Sequence, residues 1–566
     1  MDVGAHTEGG SSGQPDEDLT ELLATTGLGR LRWDNRFVDR LSLDPSEENR
    51  PRQVRQAMSS LVTPHRPSAP ALVAWSAEVS DELGIDPTAW TDEPSRMAAV
   101  FSGAVVLPGA RPHAAAYGGH QFGNWAGQLG DGRAMSLGEV VGPDGRHHTL
   151  QLKGAGPTPY SRGADGFAVL RSSVREFLCS EAMHHLGVAT TRALSLTVTG
   201  DKVVRDILYD GNPRPEPGAV VCRVAPSFIR FGNFQLFAAR QELDRLRELA
   251  DFTIDHYFPE VAAAAPPGDP ARYEALFAEV SRTTLAMAID WMRVGFVHGV
   301  MNTDNMSIHG ATIDYGPYGW LEGFDPGWTP NTTDAAHRRY RYGQQPQVAQ
   351  WNLLQLANAL VQLTEDPEPL QATLEAYGHD HDRLDRAMWR SKLGLDQVED
   401  VEAADAVVGE LFPLLVATET DMTIFFRALG GLATGESPDD GRTAAEPPVV
   451  PAALAAAYYD PDGATAVAGQ TSAWLERRAA LCRTDGRSDR DRQRSMDGVN
   501  PRYVLRNYLA QLAIDAAEQD DFEPVVELLD VLRDPYRDQS GRERYAEKRP
   551  EWARSRPGCS QLSCSS

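Results

Sequence analysis

The sequence predicts an α+β fold in two lobes, and three observations support this. Short runs of β-forming residues separated by turn residues fill 113–230, whereas apolar residues at helix spacing dominate 231–431. Two motifs with the spacing of a nucleotide and metal site, 298–305 and 313–316, lie at the join of the two halves. We therefore expect a β-rich lobe and a helical lobe with a site between them.

Composition divides the chain into six segments. Residues 1–28 are rich in Gly, Ser, Asp and Glu without an apolar run, and 432–448 is polar with Pro and Gly. The expected order is a disordered acidic tail over 1–30, an extension packing on the core over 31–112, the β-rich lobe over 113–230, the helical lobe over 231–431, a linker over 432–449 and a helical C-terminal region with a cysteine-containing tail over 450–566.

Composition also restricts the class of protein. The 566 residues are 42% apolar, which is ordinary for a chain with a packed core. The 80 acidic against 54 basic side chains give a net charge of −26, which repels a phosphate backbone, so we expect no nucleic-acid partner. We find no apolar run of about 18 residues and no targeting signal, so we expect a cytoplasmic protein without a membrane segment. Its five scattered cysteines are too few for a disulfide framework.

Local signals predict the elements of the β-rich half. A turn over 142–146 between two β-forming runs indicates a hairpin with strands 134–141 and 147–153. A loop rich in Gly and Pro then leads to a helix over 169–185, which Gly187 closes. Further strands are expected over 192–198, 202–208 and 219–224.

The helical half follows from the spacing of its apolar residues. Helices over 234–258 and 273–297 lead to the first motif, and 306–314 is expected to form a strand, a turn at Gly310 and a second strand. The remaining helices are expected over 347–363 and onward to about 429, then over 501–517 and 522–532.

The segment 298–305 has the length and outline of the kinase catalytic loop H-R-D-x-x-x-x-N, but Val300 stands where the catalytic aspartate belongs. Asp314 follows in an Ile-Asp-Tyr-Gly sequence that matches the metal-binding D-F-G motif. Oxygen ligands at this spacing suit Mg²⁺, so Asn305 and Asp314 are the candidate ligands, with Mn²⁺ as the other possible ion. The alternative, an Asx-rich turn, explains Asn302 and Asp304, but it does not explain why Asp314-Tyr-Gly follows at the right distance.

A candidate phosphate loop lies directly before the hairpin. Gly130 and Gly132 would let backbone N–H groups approach phosphate oxygens, and Arg133 would add charge-assisted hydrogen bonds. The alternative is a tight turn followed by a surface arginine.

A lysine and a glutamate have the spacing of the kinase ion pair that holds the nucleotide phosphates. Lys153 ends the second hairpin strand, and Glu176 lies 23 residues later in the next helix. The alternatives are an exposed lysine at a strand end and a capping box formed by 173–176.

The other candidates are weaker when taken alone. Asp304 is the nearest carboxylate that could accept a proton in place of the missing aspartate, or it is a solvated turn residue. His298 is expected to brace its loop rather than act as a base. Further candidates beside a phosphate site are Asp165, Gly166, Arg223 and Arg230.

A β-rich half, a helical half and these motifs at the join give the layout of a protein kinase. We therefore expect a bilobal protein-kinase-like fold with a helical C-terminal extension. Over residues 31–566 the chain also resembles the selenoprotein O (SelO) family of kinase-fold proteins. The most specific stretches are 117–133, 152–162 and 298–306.

The resemblance implies a protein adenylyltransferase that moves AMP from ATP to Ser, Thr or Tyr hydroxyls of proteins and releases pyrophosphate. It implies a nucleotide that is flipped relative to a kinase, so that the α-phosphate faces the acceptor. It assigns Asn305 and Asp314 to the metal and Asp304 to the proton. The implied nucleotide-binding set is Gly130, Gly132, Arg133, Lys153, Asp165, Gly166, Glu176, Arg223, Arg230 and Asp314.

The C-terminus departs from the family pattern. Cys564 resembles the family's redox-active end, which some bacterial relatives pair with a cysteine in the activation segment. The matching segment here, 326–333, has no cysteine. Cys559 is a possible substitute partner, and the alternative is two unpaired thiols in a mobile tail.

Two rival functions remain open at the level of sequence. A kinase that transfers the γ-phosphoryl group is disfavoured because Val300 removes the residue that orients the acceptor. An inactive nucleotide-binding scaffold is disfavoured because it would not need both the Lys153–Glu176 pair and the Asn305–Asp314 pair. ATP and UTP remain alternative donors.

Overall fold

The computed structural model describes residues 14–206, 211–435 and 450–563, and it has the expected mixed α+β composition. Its strands are β1 Arg32–Trp33, β2 Ser59–Leu61, β3 Ala71–Trp75, β4 His113–Ala115, β5 Gly118–Gln121, β6 Asn124–Gln128, β7 Ala134–Val141, β8 His147–Lys153, β9 Ala168–Val169, β10 Arg192–Arg205, β11 Arg214–Ala225, β12 Phe296–Val297 and β13 Gly319–Trp320.

The helices surround and follow the strands. They are α1 Gln14–Thr26, α2 Arg36–Arg40, α3 Ala77–Leu83, α4 Thr88–Asp92, α5 Pro94–Phe101, α6 Leu170–His185, α7 Phe231–Ala239, α8 Leu243–Tyr257, α9 Pro259–Ala264, α10 Pro270–Val294, α11 Gln345–Thr364, α12 Glu368–Leu393, α13 Val401–Ala417, α14 Met422–Gly430, α15 Ala452–Ala455, α16 Pro461–Cys482, α17 Asp489–Asp497, α18 Asn507–Ala517 and α19 Glu523–Leu532. Among the described residues, none of these helices has the length and apolar character needed to cross a membrane.

One antiparallel sheet organises the first half of the chain. Its main path runs β2-β4-β7-β8-β11-β10-β3, with β1 beside β7 and β9 beside β11. The predicted hairpin is confirmed, and Ala134 is opposite Lys153 at its open end. The extension before residue 113 does more than pack on this core, because it contributes β1, β2 and β3 to the sheet itself.

The prediction of separate strands over 192–198 and 202–208 is wrong. β10 runs through both and pairs with β11 along its length, with a register shift between Val198 and Lys202 where Gly200 has φ +80°. A bulge of this kind lets a strand absorb turn-forming residues without ending. The end of the predicted second strand, 207–208, lies outside the described residues.

The helical predictions hold with local corrections. The segment 234–258 forms two helices, α7 and α8, because the chain turns at Gln241, where φ is +56°. The predicted strands over 306–314 are absent as regular elements, and a single bridge joins Met306 to Thr312 around Gly310. Of the helix predicted over 501–517, only residues 507–517 are helical, and they form α18.

The predicted disordered tail is wrong from residue 14 onward. Residues 14–26 form α1, and Leu22 and Leu28 are buried against the core that contains α5. The first 13 residues and most of the predicted linker, 436–449, lie outside the described residues, so those expectations remain untested.

Helix α6 is the structural centre of the molecule. Its side chains are buried nearly all round, and its Phe177 and Leu178 share one apolar cluster with α10, α11, α18 and α19. The C-terminal region therefore packs on the same core as the sheet. This arrangement fixes α6, and with it Glu176, relative to both halves of the chain.

A buried ion pair ties the C-terminal region to α14. Arg506 donates from Nη1 and Nη2 to the two oxygens of Asp421 at 2.8 and 3.0 Å, and both side chains are buried. Asp421 also caps α14 by accepting from the N–H of Ile424 at 3.0 Å. Removing one partner of such a pair leaves a buried charge without compensation.

We expect Arg506→Met to lower the free energy of unfolding by about 3–5 kcal/mol, since the Asp421 carboxylate would stay buried and unpaired. Urea denaturation followed by circular dichroism measures this change. The matched control is Arg494→Met, because Arg494 is 70% exposed in its pair with Asp491 and should contribute less than about 1 kcal/mol. Equal losses in the two variants would contradict the prediction.

Candidate active site

A cavity of about 450 Å³ lies between the β-rich half and the loops that follow α10. The β-rich half contributes 129–134, Lys153 and the loop 160–164, and the helical half contributes 300–305 and 314–317. The sequence motifs therefore meet in one place. The volume is in the range of small-molecule binding sites.

The cavity is positively charged inside a strongly acidic protein. Its lining carries five cationic side chains, which are Arg133, Lys153, Arg162, Arg223 and Arg230. It carries three carboxylates, which are Asp131, Asp304 and Asp314. The excess of two positive charges in the lining contrasts with the overall charge of −26 and favours an anionic ligand.

The predicted pair of Lys153 and Glu176 is present in the structure. Lys153 Nζ lies 2.5 Å from Glu176 Oε2, and Arg223 Nη1 lies 3.0 Å from Glu176 Oε1. Glu176 therefore orients two cations that line the cavity. The capping-box alternative is wrong, because α6 begins at Leu170 with Val169 at the N-cap, which places Glu176 inside the helix.

Asp314 lies between two buried arginines. Arg223 Nη1 is 2.6 Å from Asp314 Oδ1, and Arg230 Nη1 donates a short hydrogen bond to Asp314 Oδ2. Burial alone would raise the pKa of Asp314, but Arg230, Arg223 and Lys153 outweigh burial and lower this pKa well below its usual range. Asp314 is therefore ionised at neutral pH.

Burial lowers the pKa of Lys153 to about 8. Glu176 opposes this shift, whereas Arg133 and Arg223 add to it by like-charge repulsion. The ammonium of Lys153 is therefore charged at neutral pH and loses its proton in the mildly alkaline range.

Asp304 is a buried carboxylate with one free oxygen. Oδ2 accepts from Gln121 Nε2 at 3.2 Å, and among the described residues no group donates to Oδ1. Burial raises the pKa of Asp304 to about 6, against the lowering effects of the Gln121 hydrogen bond and of Arg230. A Cβ on Gly119 would approach Asp304 Oδ1 to 2.7 Å, so only glycine fits β5 at this point. The alternative of a solvated turn aspartate is therefore wrong.

Hydrogen bonds fix the shape of the segment 298–305. His298 Nε2 lies 2.9 Å from the carbonyl oxygen of Ile313, and His298 Nδ1 accepts from the N–H of Val300 at 3.3 Å. Asn305 Nδ2 donates to the carbonyl of Val300 at 3.0 Å. The expectation that His298 braces the loop is confirmed.

The candidate phosphate loop borders the cavity. Packing also requires glycine at positions 130 and 132, independently of any phosphate. Gly130 has φ +93°, and a Cβ there would lie 2.5 Å from the ring of Tyr160. A Cβ on Gly132 would lie 2.9 Å from the carbonyl oxygen of Tyr160. Because the loop that contains Tyr160 packs this closely against both positions, neither can carry a side chain. Arg133 is exposed at the rim.

Asp165 and Gly166 lie beside the cavity but do not line it. Asp165 forms a bidentate ion pair with Arg205 of β10 at 2.7 Å. Gly166 has φ +79° and packs against the backbone of Gly156, where a Cβ would come within 2.4 Å. In this arrangement both residues hold the loop 154–166 in place.

The structure adds residues that sequence reasoning missed. Tyr117 lies under the guanidinium of Arg230, with 4.7 Å between the Cζ atom and the ring centroid. Gln121 holds Asp304, and Arg162 lines the cavity with φ +57°. Asp131 lies 3.8 Å from Arg230, and its position between the two loop glycines is the signal that could have identified it.

The donor set at the end of the cavity fits a hard divalent cation. Asn305 and Asp314 offer an amide oxygen and a carboxylate, the ligand types that Mg²⁺ and Mn²⁺ accept. The Asn305 amide nitrogen is engaged by Val300, which leaves its oxygen for another partner. The nearby Asp304 adds a carboxylate oxygen without a donor. These residues fit such an ion.

The C-terminal tail reaches the activation segment without a cysteine pair. Leu562 accepts from the N–H of Thr332 at 2.8 Å, and Asn331 donates to the carbonyl of Gly299 at 3.0 Å. Cys559 is buried rather than mobile, and burial raises the pKa of its thiol to about 11. The four described cysteines are unpaired, and Cys564 lies outside the described residues.

Comparison with known proteins identifies the family. A family model described as protein adenylyltransferase SelO matches residues 43–533. A protein nucleotidyltransferase YdiU from Azoarcus sp. (strain BH72) is 56% identical over 536 residues, which cover 95% of this chain and 99% of the relative. Proteins of the same name from Rhodopirellula baltica and Aromatoleum aromaticum are 56% and 55% identical, again over 95% of this chain and 99% and 100% of their own lengths. The chain therefore belongs to the SelO family of protein adenylyltransferases, and the prediction that it is a nucleotidyltransferase is confirmed.

Proposed function

We propose that this protein transfers AMP from ATP to Ser, Thr or Tyr hydroxyls of other proteins on a kinase-like bilobal scaffold in the cytoplasm. The observation that carries the proposal is the convergence of Lys153, Arg223 and Arg230 on a cavity in which Val300 replaces the kinase aspartate. Membership of the SelO family and the similarity to protein nucleotidyltransferases support nucleotidyl transfer. ATP rather than UTP is our proposed donor.

The buried cations suit a reaction in which pyrophosphate leaves. The acceptor oxygen forms a bond to the α-phosphorus, and the bond from that phosphorus to the oxygen bridging to the β-phosphate breaks with its electron pair. The negative charge that develops on pyrophosphate requires fixed positive groups. Lys153, Arg223 and Arg230 supply these groups, and Glu176 and Asp314 hold them before the nucleotide binds.

Asp304 is the proposed proton acceptor. Asp304 lines the cavity, and its pKa of about 6 leaves most of the carboxylate ionised at neutral pH. The acceptor hydroxyl would transfer its proton to this carboxylate as the bond to phosphorus forms. Val300 contributes no charge at the place where a kinase has its base.

Asn305 and Asp314 would hold a divalent cation such as Mg²⁺ or Mn²⁺. When bound, such an ion neutralises phosphate charge and orients the phosphate oxygens. Asp314 would then balance the cation as well as the arginines, since each carboxylate oxygen can accept more than one contact.

ATP labelled at the α- or γ-phosphate distinguishes adenylyl transfer from phosphoryl transfer. We expect label from the α position alone to stay on protein, and intact-mass analysis to show a gain of one AMP per modified site. The reason is that the proposed reaction breaks the bond on the β side of the α-phosphorus. Retention of γ-label alone would overturn the proposal in favour of a kinase, and retention of neither label would favour a scaffold.

The metal assignment is tested with Asp314→Asn and Asn305→Ala. We expect each to lower the metal-stimulated rate of transfer on the order of 100-fold, because each removes a hard oxygen ligand or its charge. Asp144→Asn, in the exposed turn of the β7–β8 hairpin, is the matched control and should keep the rate. Wild-type metal dependence in both site variants would contradict the assignment.

The affinity for ATP should fall as pH rises through about 8, because Lys153 loses its proton in that range. The Glu176→Gln variant lacks the carboxylate that raises the pKa of Lys153, so its affinity for ATP should begin to fall at a lower pH. Isothermal titration calorimetry across neutral and mildly alkaline pH measures this. Lys153→Arg keeps its charge and should lose the pH dependence. The same midpoint in wild type and Glu176→Gln would refute the coupling.

A further inference from the structure

A second cavity, of about 510 Å³, lies next to the candidate active site. Its lining includes Phe122, His337, Arg339, Arg341, Gln347 and Trp351. It is open to the surface and is formed by the end of β5, the segment 334–344 and the first turns of α11. None of its lining residues has a role in the proposed transfer of AMP.

The two cavities share a wall. The N–H of Phe122 lies 3.2 Å from Asn302 Oδ1 and 3.0 Å from the Tyr340 hydroxyl, and that hydroxyl donates to Asn302 Oδ1 at 2.6 Å. Asn302 lines the first cavity beside Asp304. The cavity that contains the proposed proton acceptor therefore lies on the other side of this contact.

Two sides of the second cavity carry no Asp, Glu, Lys or Arg side chain. Neither 118–128, which forms β5 and β6, nor α11 contains an Asp, Glu, Lys or Arg. A further cavity of about 250 Å³ continues along α11, where Gln355, Asn358 and Gln362 are exposed to it. Side-chain amides both donate and accept hydrogen bonds, which suits the backbone of an extended peptide.

Two arginines of the lining, Arg339 and Arg341, form a cationic end to this groove, and the exposed Arg338 precedes them in sequence. Among the described residues, no carboxylate forms an ion pair with Arg338, Arg339 or Arg341. Arg339 lies over the ring of Trp351 at 4.6 Å, and Arg341 donates to Gln344 at 2.8 Å. These contacts fix the position of two guanidinium groups without neutralising them.

The carboxylate in the lining offsets only part of this charge. Asp334 is buried, and its two oxygens accept from the backbone N–H groups of Arg339 and Tyr340 at 3.0 and 2.7 Å. It therefore serves to shape the segment. In a protein with 80 acidic side chains, unpaired arginines beside an active site indicate an anionic partner.

We propose that this acceptor groove, formed by residues 334–351 with β5 and β6, binds an acidic segment of the protein that receives AMP. Carboxylates of the segment would contact Arg339 and Arg341, its backbone would lie along the amides of α11, and its hydroxyl side chain would reach past Phe122 toward Asp304. This inference rests on the proposed function, because it supplies the substrate class for that same site.

Peptide binding tests the groove directly. The probe is a fluorescein-labelled peptide of about twelve residues with a central Tyr and Asp or Glu on either side, compared with the same peptide carrying Asn and Gln. Fluorescence anisotropy with the full chain should show about tenfold tighter binding of the acidic peptide at low salt, and a smaller difference at high salt. Equal affinity for the two peptides would overturn the proposal.

Charge reversal identifies the surface. Arg339→Glu with Arg341→Glu should remove the preference for the acidic peptide and favour a Lys-containing peptide instead. Arg341→Glu alone should give a partial loss and serves if the double variant misfolds. The matched control is Arg537→Glu, since Arg537 is 82% exposed after α19 and should leave binding unchanged. Equal effects of Arg341→Glu and Arg537→Glu would also refute the groove.

Kinetics separates this proposal from the proposed function. With AMP transfer to the same peptides, the arginine variants should raise KM for the acidic peptide and keep kcat and the affinity for ATP. Transfer of AMP without a preference for acidic peptides would refute the groove and leave the proposed function intact. Arginine-dependent binding of acidic peptides without AMP transfer would support the groove and refute the proposed function.

Discussion

The candidate site depends on how buried carboxylates neutralise buried cations. Arg223 and Arg230 are each about 2% exposed, and an unpaired guanidinium at that depth would be strongly destabilising. Glu176 from α6 and Asp314 from the loop after α10 provide the compensation. These carboxylates come from distant parts of the sequence. The charge network therefore also fixes the positions of the sheet, α6 and the loop that carries Asp314 relative to one another.

The same network explains how an acidic protein can offer a site for an anion. Asp314 holds two arginines in place but neutralises only one positive charge, and Arg230 gains a second, longer contact with Asp131 at 3.8 Å. The cavity lining keeps a net positive charge, and each of its three deeply buried cations, Lys153, Arg223 and Arg230, has a nearby carboxylate. A nucleotide would add phosphate oxygens to cations that are already positioned, so little reorganisation would accompany binding.

Sequence reasoning succeeded where spacing alone fixes geometry. The β7–β8 hairpin, α6 and the pairing of Lys153 with Glu176 follow from short-range patterns. It failed where long-range contacts determine the structure. Gly200 lies in a bulge because β11 pairs with β10 on both sides of it. Helix α1 is ordered because Leu22 packs into an apolar core. Gln121 lies in β5 and Tyr117 directly precedes it, and no local pattern distinguishes this strand in the sequence.

The position of the proposed proton acceptor, Asp304, is consistent with the same charges. An aspartate at position 300 would add a carboxylate to the lining and reduce its positive excess from two charges to one. Val300 avoids this change, and its backbone still receives the hydrogen bond from Asn305 that shapes the loop. Asp304 lies four residues further on, where Gln121 and Gly119 of β5 enclose it and the groove beyond Phe122 begins. Placing the carboxylate there keeps the phosphate region cationic and puts proton transfer on the side from which a protein acceptor would approach.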